Sequence, residues 1–257
     1  MKRLFIISLI ALISISVFGQ NNSAIKFLGI PIDGTEAQFV AKLRSKGFSY
    51  NSLYESYKGQ FNGKDVDVYI HTNHNLVDRV YVAFPYTTEE SIRVEFNRLL
   101  SQFKNNSKYM DLSMNEEIPG GDDISYEITV NKKRYQASFS YFDPDRDPIP
   151  FANALIDKFD GLLPSENIAK WKEAMAASLA LSEEEQRLQY EQLVAELQGS
   201  IGNIDEDKAF LFLATFIDGM KSLADGEVWF MIHENYGRYN IGLYYDNLHN
   251  QAHGEDL

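Results

Sequence analysis

Hydrophobic positions along the chain follow two rhythms. From Lys64 to His71, Val66, Val68 and Ile70 recur at every second residue, the period of a half-buried strand. Asn62-Gly63, a strong short hairpin signal, joins that strand to Tyr57–Phe61. Val77–Phe84 answers it across a turn at Thr72 to Asn75. The rhythm then changes. Ile92, Phe96, Leu99, Leu100 and Phe103 form one apolar stripe at helical spacing and predict a helix from about Thr88 to Lys104. An earlier helix opens after Asp33-Gly34-Thr35. Thr35 and Gln38 make a capping-box pair, Phe39 and Leu43 share a face, and Gly47 sits where a C-terminal cap belongs. Ala24–Ile32 reads as a first strand broken at Pro31, so the order over this stretch is β-α-β-β-β-α.

Beyond Pro119-Gly120-Gly121 the pattern predicts strands at Ile124–Val130 and Arg134–Phe142, flanking a hairpin at Asn131-Lys132-Lys133. Proline-bearing turns from Asp143 to Pro150 end the pair. Residues 151 to about 225 read as helical. Ser165 opens a helix carrying Ile168, Trp171 and Met175, and Ser182 with Glu185 caps another whose face is Tyr190, Leu193, Val194 and Leu197. Asp205 opens a third. Phe210–Phe216 is apolar on nearly all sides, which predicts a centrally buried helix ending at Asp218-Gly219 or Asp225-Gly226. Two strands, Val228–Glu234 and Tyr239–Tyr245, close the chain across the turn 235–238, and a polar tail, 247–257, is expected to be loose. The fold class is α+β, with helices packed on a mostly antiparallel sheet. Two β-rich units are expected, 20–110 and 111–246, with the helical segment 151–225 inside the second.

The first residues alter the picture of location. Lys2 and Arg3 precede an apolar run from Leu4 to Phe18 interrupted only by Ser8, Ser14 and Ser16, and Val17-Phe18-Gly19-Gln20 follows. This is the layout of a secretory signal peptide, residues 1–19, cut between Gly19 and Gln20. The apolar run falls short of the roughly 20 residues that a membrane-spanning helix needs, and no later stretch is long and apolar enough. The expected location is the periplasm or the exterior. The chain has no cysteine, which excludes disulfides, thiol nucleophiles, thiolate metal sites and a lipidated cysteine at the cut.

Charge and aromatic content narrow the partners. There are 24 Lys and Arg against 37 Asp and Glu. Removing Lys2 and Arg3 leaves 22 against 37, a net charge of −15. Such a surface repels phosphate backbones, so nucleic acid is not expected. Aromatic residues make up 13% of the chain, with 17 Phe and 15 Tyr, which suits sheets and also contact faces for protein or carbohydrate. Three runs share one pattern of turn, basic residue and aromatic strand, at Asn62-Gly63-Lys64, at Asn131 to Arg134 and at Tyr236-Gly237-Arg238. They read equally as duplicated hairpin units or as ordinary hairpins. The run Phe27 to Thr35, with its helix and hairpins, resembles uncharacterised exported proteins of Gram-negative gut bacteria. More loosely, residues 24–105 are similar to the β-lactamase-inhibitor-like and outer-membrane-assembly-lipoprotein-like modules. That resemblance implies helices on one face of an antiparallel sheet and a role in protein binding. The helical stretch 151–225 and the missing lipid cysteine depart from it.

Motif chemistry is sparse. His71 and His74 bracket a turn near Asp67 and Asp78, a spacing that matches no standard zinc site. Asp143, Asp145 and Asp147 begin like a calcium loop, but Pro148 and Ala154 stand where Gly and Glu are needed. His249 and His253 have helical spacing in a tail without helix signals, and His233-Glu234 points its two side chains to opposite faces of a strand. No G-x-S-x-G motif and no phosphate-binding glycine loop occurs. No catalytic residue, metal site or cofactor is assigned. The leading expectation is a non-catalytic binding or interaction protein of the envelope or the exterior, with an envelope protein or a glycan as partner. The alternatives are a carboxylate-based envelope hydrolase, whose paired acids sequence cannot reveal, and a structural or assembly factor. The candidate binding residues are Tyr244, on the more polar face of its strand beside Gly242, and Tyr236 at the adjacent turn.

Overall fold

A computed structural model describes residues 24–146, 148–162, 165–178 and 206–251. The expected leader with its cut at Gly19/Gln20, the helix opened by Ser182, and the residues Asp147, Asp205 and His253 lie outside them. The described chain forms two compact units. Among the described residues, one comprises 24–143 and 224–251 and carries the sheet, and the other comprises the helical residues between 144 and 223.

The sheet unit begins with a small hairpin, β1 (Lys26–Phe27) and β2 (Ile30–Pro31), rather than the single strand expected over Ala24–Ile32. Leu28 and Gly29, both at positive φ, make the turn. Helix α1 (Glu36–Ser45) starts at the expected capping box. Thr35 Oγ1 accepts from the Gln38 N–H and Gln38 Oε1 accepts from the Thr35 N–H, which satisfies two amides the helix leaves open. Phe39 and Leu43 are its buried face. Four strands follow, β3 (Ser49–Asn51), β4 (Ser56–Phe61), β5 (Lys64–Asn73) and β6 (Leu76–Ala83). The Asn62-Gly63 and His74-Asn75 turns that link the last three have positive φ at both residues, the backbone that matches the twist of paired strands. Helix α2 (Glu89–Lys104), capped by Thr88, buries the expected stripe Ile92, Phe96, Leu99, Leu100 and Phe103. Beyond β7 (Tyr109–Met110) comes a six-residue helix, α3 (Ile124–Thr129), where a strand over Ile124–Val130 was expected. The Asp123 side chain accepts from the Tyr126 N–H, and this cap outweighs the alternating pattern. No hairpin forms at Asn131 to Lys133; β8 is Gln136–Tyr141 and pairs with β7 and β9 instead. After the helical segment, β9 (Gly226–Asn235) and β10 (Arg238–Asn247) form a long hairpin turning at Tyr236-Gly237.

All eight strands β3 to β10 belong to one sheet, in the order β3-β4-β5-β6-β10-β9-β8-β7, and every pairing is antiparallel. The α+β class therefore holds. The expected division near residue 110 does not separate two sheets, because β6 pairs directly with β10. One face of the sheet carries the core. Val66, Val68, Val80, Val82, Phe139, Phe230, Ile241 and Leu243 pack there against α1, α2 and the β1–β2 hairpin, with Phe230 against Phe96 and Phe27 against Tyr245. The tail is tied down as far as Asn250. The Asn247 amide donates to Ile32 O, His249 Nε2 lies 2.8 Å from Asp225, and the Asn250 amide donates to Asp33 and to Val77 O.

In the helical unit, α4 (Pro148–Asp157), α5 (Ser165–Ser178) and α6 (Glu206–Ser222) are described. Phe159 stacks on Phe212 at 4.5 Å, and Leu155, Ile168, Phe216 and Met220 are buried. Only part of the apolar run in α6 is interior. Phe212 and Phe216 point inward, whereas Phe210 is 73% exposed, because a helix turns its successive residues through about 100° and cannot bury them all against one neighbour.

Candidate functional site

Strand alternation gives the sheet a second face, opposite α1 and α2. On β5, β6, β10 and β9 the residues between the buried valines, leucine and phenylalanine are Tyr69, Tyr81, Tyr244 and Trp229. The registers bring them into one row: Tyr69 opposite Tyr81, Tyr81 opposite Tyr244, and Tyr244 opposite Trp229. Their rings stack in sequence. Centroids are 5.4 Å apart for Tyr69 and Tyr81, 4.6 Å for Tyr81 and Tyr244, and 3.8 Å for Tyr244 and Trp229, with interplanar angles of 23°, 18° and 6°. These spacings track the separation of neighbouring strands. The rings therefore stand upright on the sheet, faces against each other and edges outward, and all four are half-buried. The row ends at Ser138 of β8, the partner of Trp229.

A charged row borders this stack on one side. Asp246, almost fully buried, accepts from Arg79 Nε at 2.6 Å, from a terminal guanidinium nitrogen of Arg79 at 2.9 Å, and from Trp229 Nε1 at 2.9 Å. The carboxylate holds the Arg79 proton more tightly than usual, chiefly through this hydrogen bond. The guanidinium carbon also lies 5.8 Å from the ring centres of Trp229 and Tyr244, within cation–π range. Asp246 thus fixes the indole in the plane that Tyr244 stacks on.

On the other side lies a more polar patch. His233 and Asn240 face each other across β9 and β10, next to Gly242. His233 Nε2 is 3.5 Å from the Tyr244 hydroxyl. Burial lowers the pKa of His233, so its ring is neutral near pH 7, and burial raises those of Tyr244 and Tyr81. Gly242 leaves the space that His233 and Tyr81 occupy. A methyl group at its Cα would sit 2.7 Å from His233 Nε2 and 2.9 Å from Tyr81 Cε2, closer than side-chain carbons approach.

Of the two residues singled out from sequence, Tyr244 stands in the middle of the aromatic row, on the face that alternation assigned it. Tyr236 does not join it. It is 98% exposed at the tip of the β9–β10 hairpin, and the seven residues from Arg238 to Tyr244 span about 20 Å of strand between the two. Sequence reading missed Tyr69, Tyr81, Trp229, Arg79, Asp246 and Asn240. Each occupies an alternating outward position, the only local signal, but the register that assembles them crosses the non-local β6–β10 pairing.

His71 and Asp122 have structural partners. His71 Nδ1 lies 2.7 Å from Asp78, and Asp122 accepts from Lys133 and from the Tyr135 hydroxyl at 3.0 Å each. Among the described residues no group of three or more His, Asp or Glu is placed to hold a metal ion, and no helix is long and apolar enough to cross a membrane. No protein-family model, no curated protein and no solved structure matches the chain.

Proposed function

We propose that this is an exported, non-catalytic binding protein that recognises its partner with the face of the sheet opposite α1 and α2. The observation that carries the reading is the continuous row Tyr69–Tyr81–Tyr244–Trp229 on that face. Aromatic side chains give large contact area at small entropic cost, and mutual stacking removes most of the freedom these would lose on binding. The Arg79–Asp246 pair, locked to Trp229, adds rigidity. Two acids of this face are already engaged, Asp246 by Arg79 and Trp229, and Asp67 by Ser56 Oγ. That arrangement favours binding over carboxylate-based hydrolysis. The resemblance of residues 24–105 to envelope binding modules points the same way, and the leader at residues 1–19 supports export.

The test uses chain secreted with its own leader, whose intact mass should begin at Gln20. Immobilised protein should retain a partner from an envelope extract, and the Trp229→Ala/Tyr244→Ala variant should lose it while remaining folded. Tyr126→Ala, at an exposed position on α3, should bind as the parent does. Equal retention by the parent and the double variant rejects the face.

A further inference from the structure

Trp229 and Tyr244 each carry a base beside the hydrogen that one-electron oxidation makes acidic. Trp229 Nε1 donates to the Asp246 carboxylate at 2.9 Å, and the Tyr244 hydroxyl faces His233 Nε2 at 3.5 Å. Burial keeps the imidazole free of its second proton near pH 7, and with its hydrogen on Nδ1 it accepts at Nε2. Packing alone gives no reason to set an imidazole, rather than an apolar side chain, at the end of the phenol. The two rings are also in direct contact, 3.8 Å between centres and nearly parallel. Electrons pass between rings in contact without any cavity. The half-buried edges of the row lie at the surface, where a dissolved oxidant can reach them.

We propose that Trp229 and Tyr244 form a one-electron oxidation site, in which Trp229 yields an electron to an oxygen-centred radical, Tyr244 refills it, and the phenol proton passes to His233. In the first step the oxidant is reduced by one electron. Trp229 becomes a radical cation whose N–H stays on the Asp246 carboxylate. In the second step Tyr244 loses one electron to Trp229 and its hydroxyl proton to His233 Nε2. The O–H bond breaks, an N–H bond forms, and the indole is restored. The products are a neutral tyrosyl radical and an imidazolium. Arg79 sets the direction. Its guanidinium lies 5.8 Å from both ring centres, so it opposes a lasting positive charge on Trp229 and favours the uncharged radical on Tyr244. This activity goes beyond partner recognition and stands apart from it, since it needs no partner on the face.

The test is flash photolysis of the mature chain with photogenerated tris(bipyridine)ruthenium(III) as the one-electron oxidant. The chain carries Trp171→Phe, which leaves Trp229 as its sole indole. Transient absorption should show an indole radical that decays as a tyrosyl radical rises, at a rate independent of oxidant concentration. Tyr244→Phe should abolish this coupled rise and leave the indole radical long-lived. His233→Gln should slow it roughly tenfold or more. Heavy water should slow the parent more than it slows His233→Gln. Thermal melts check that each variant folds. Should Tyr244→Phe fail to fold, Trp229→Phe carries the comparison and should lose the concentration-independent phase. An indole radical that decays without a tyrosyl rise overturns the inference. So does a coupled rise that Tyr244→Phe or Trp229→Phe leaves intact, or one that neither His233→Gln nor heavy water slows.

Discussion

The two halves of the sheet follow one plan with different connections. In each, a threonine-capped helix precedes four antiparallel strands: α1 with β3 to β6, and α2 with β7 to β10. The halves meet where β6 pairs with β10. In the first half, two-residue turns at Asn62-Gly63 and His74-Asn75 tie β4, β5 and β6 together. In the second, the chain leaves the sheet between β7 and β8 to make α3, and again between β8 and β9 to make the helical unit. The cores differ too. Valines 66, 68, 80 and 82 line the first half, whereas Phe96, Phe103, Phe139 and Phe230 cluster under the second. Rings pack under the first half as well, with Phe27 against Phe48 and Phe61, and Phe61 against Phe84, so the halves differ chiefly in how their strands are connected and in the valines that line the first. The candidate binding face straddles the seam between the two halves.

The largest expected effect tests that contrast directly. Phe230→Ala should cost about 3–5 kcal/mol in urea unfolding, since the ring is fully buried among three others. Val68→Ala, equally buried in the first half, should cost about 2 kcal/mol. Equal losses would erase the distinction between the two linings. A smaller effect concerns pH. The folded-state pKa of His233 is depressed by burial below its ordinary 6.5, so the unfolded chain takes up the proton first. Its contribution to stability is present above pH 6.5 and is lost as pH falls through the lower folded value. His233→Gln should flatten this part of the stability–pH curve relative to the parent, measured by thermal melts between pH 7.5 and pH 5; identical slopes would sink the assignment. The smallest effect lies at the hairpin tip. Tyr236 holds φ +49° in the same two-residue turn geometry as Asn62, a conformation asparagine accepts more readily than tyrosine. Tyr236→Asn should stabilise by roughly 0.5 kcal/mol, and a loss would mean that the exposed ring has a packing role.

What sequence made legible follows the same contrast. The capping box at Thr35 and Gln38, the stripe of α2 and the turns at Asn62-Gly63 and Tyr236-Gly237 depend on neighbours within a few residues, and each forms as read. Alternation also placed Tyr244 on the outward face. Ile124–Val130 misled because its alternating pattern competes with a cap at Asp123, and a single side-chain hydrogen bond decides so short a segment. The tail misled because polarity looks like looseness, although Asn247, His249 and Asn250 spend their polar groups on distant backbone and acids. The aromatic row was illegible for a different reason. Tyr69, Tyr81, Tyr244 and Trp229 come from four strands, and the β6–β10 register joins residues more than 150 positions apart.

The pairing of β6 with β10 sets the order in which the molecule can be completed. In chain order β10 follows every other described strand, yet it occupies an interior place in the sheet. While the chain is being made, β3 to β6 can align by their own turns, but β6 then presents an open edge until β10 arrives. Until that moment the valine-lined half is a strand-pairing template without its partner, open to capture by another copy of itself. The polar stitches that follow β10, from Asn247 to Ile32 and from Asn250 to Val77, then act as the clasp that fastens the finished sheet to the start of the fold.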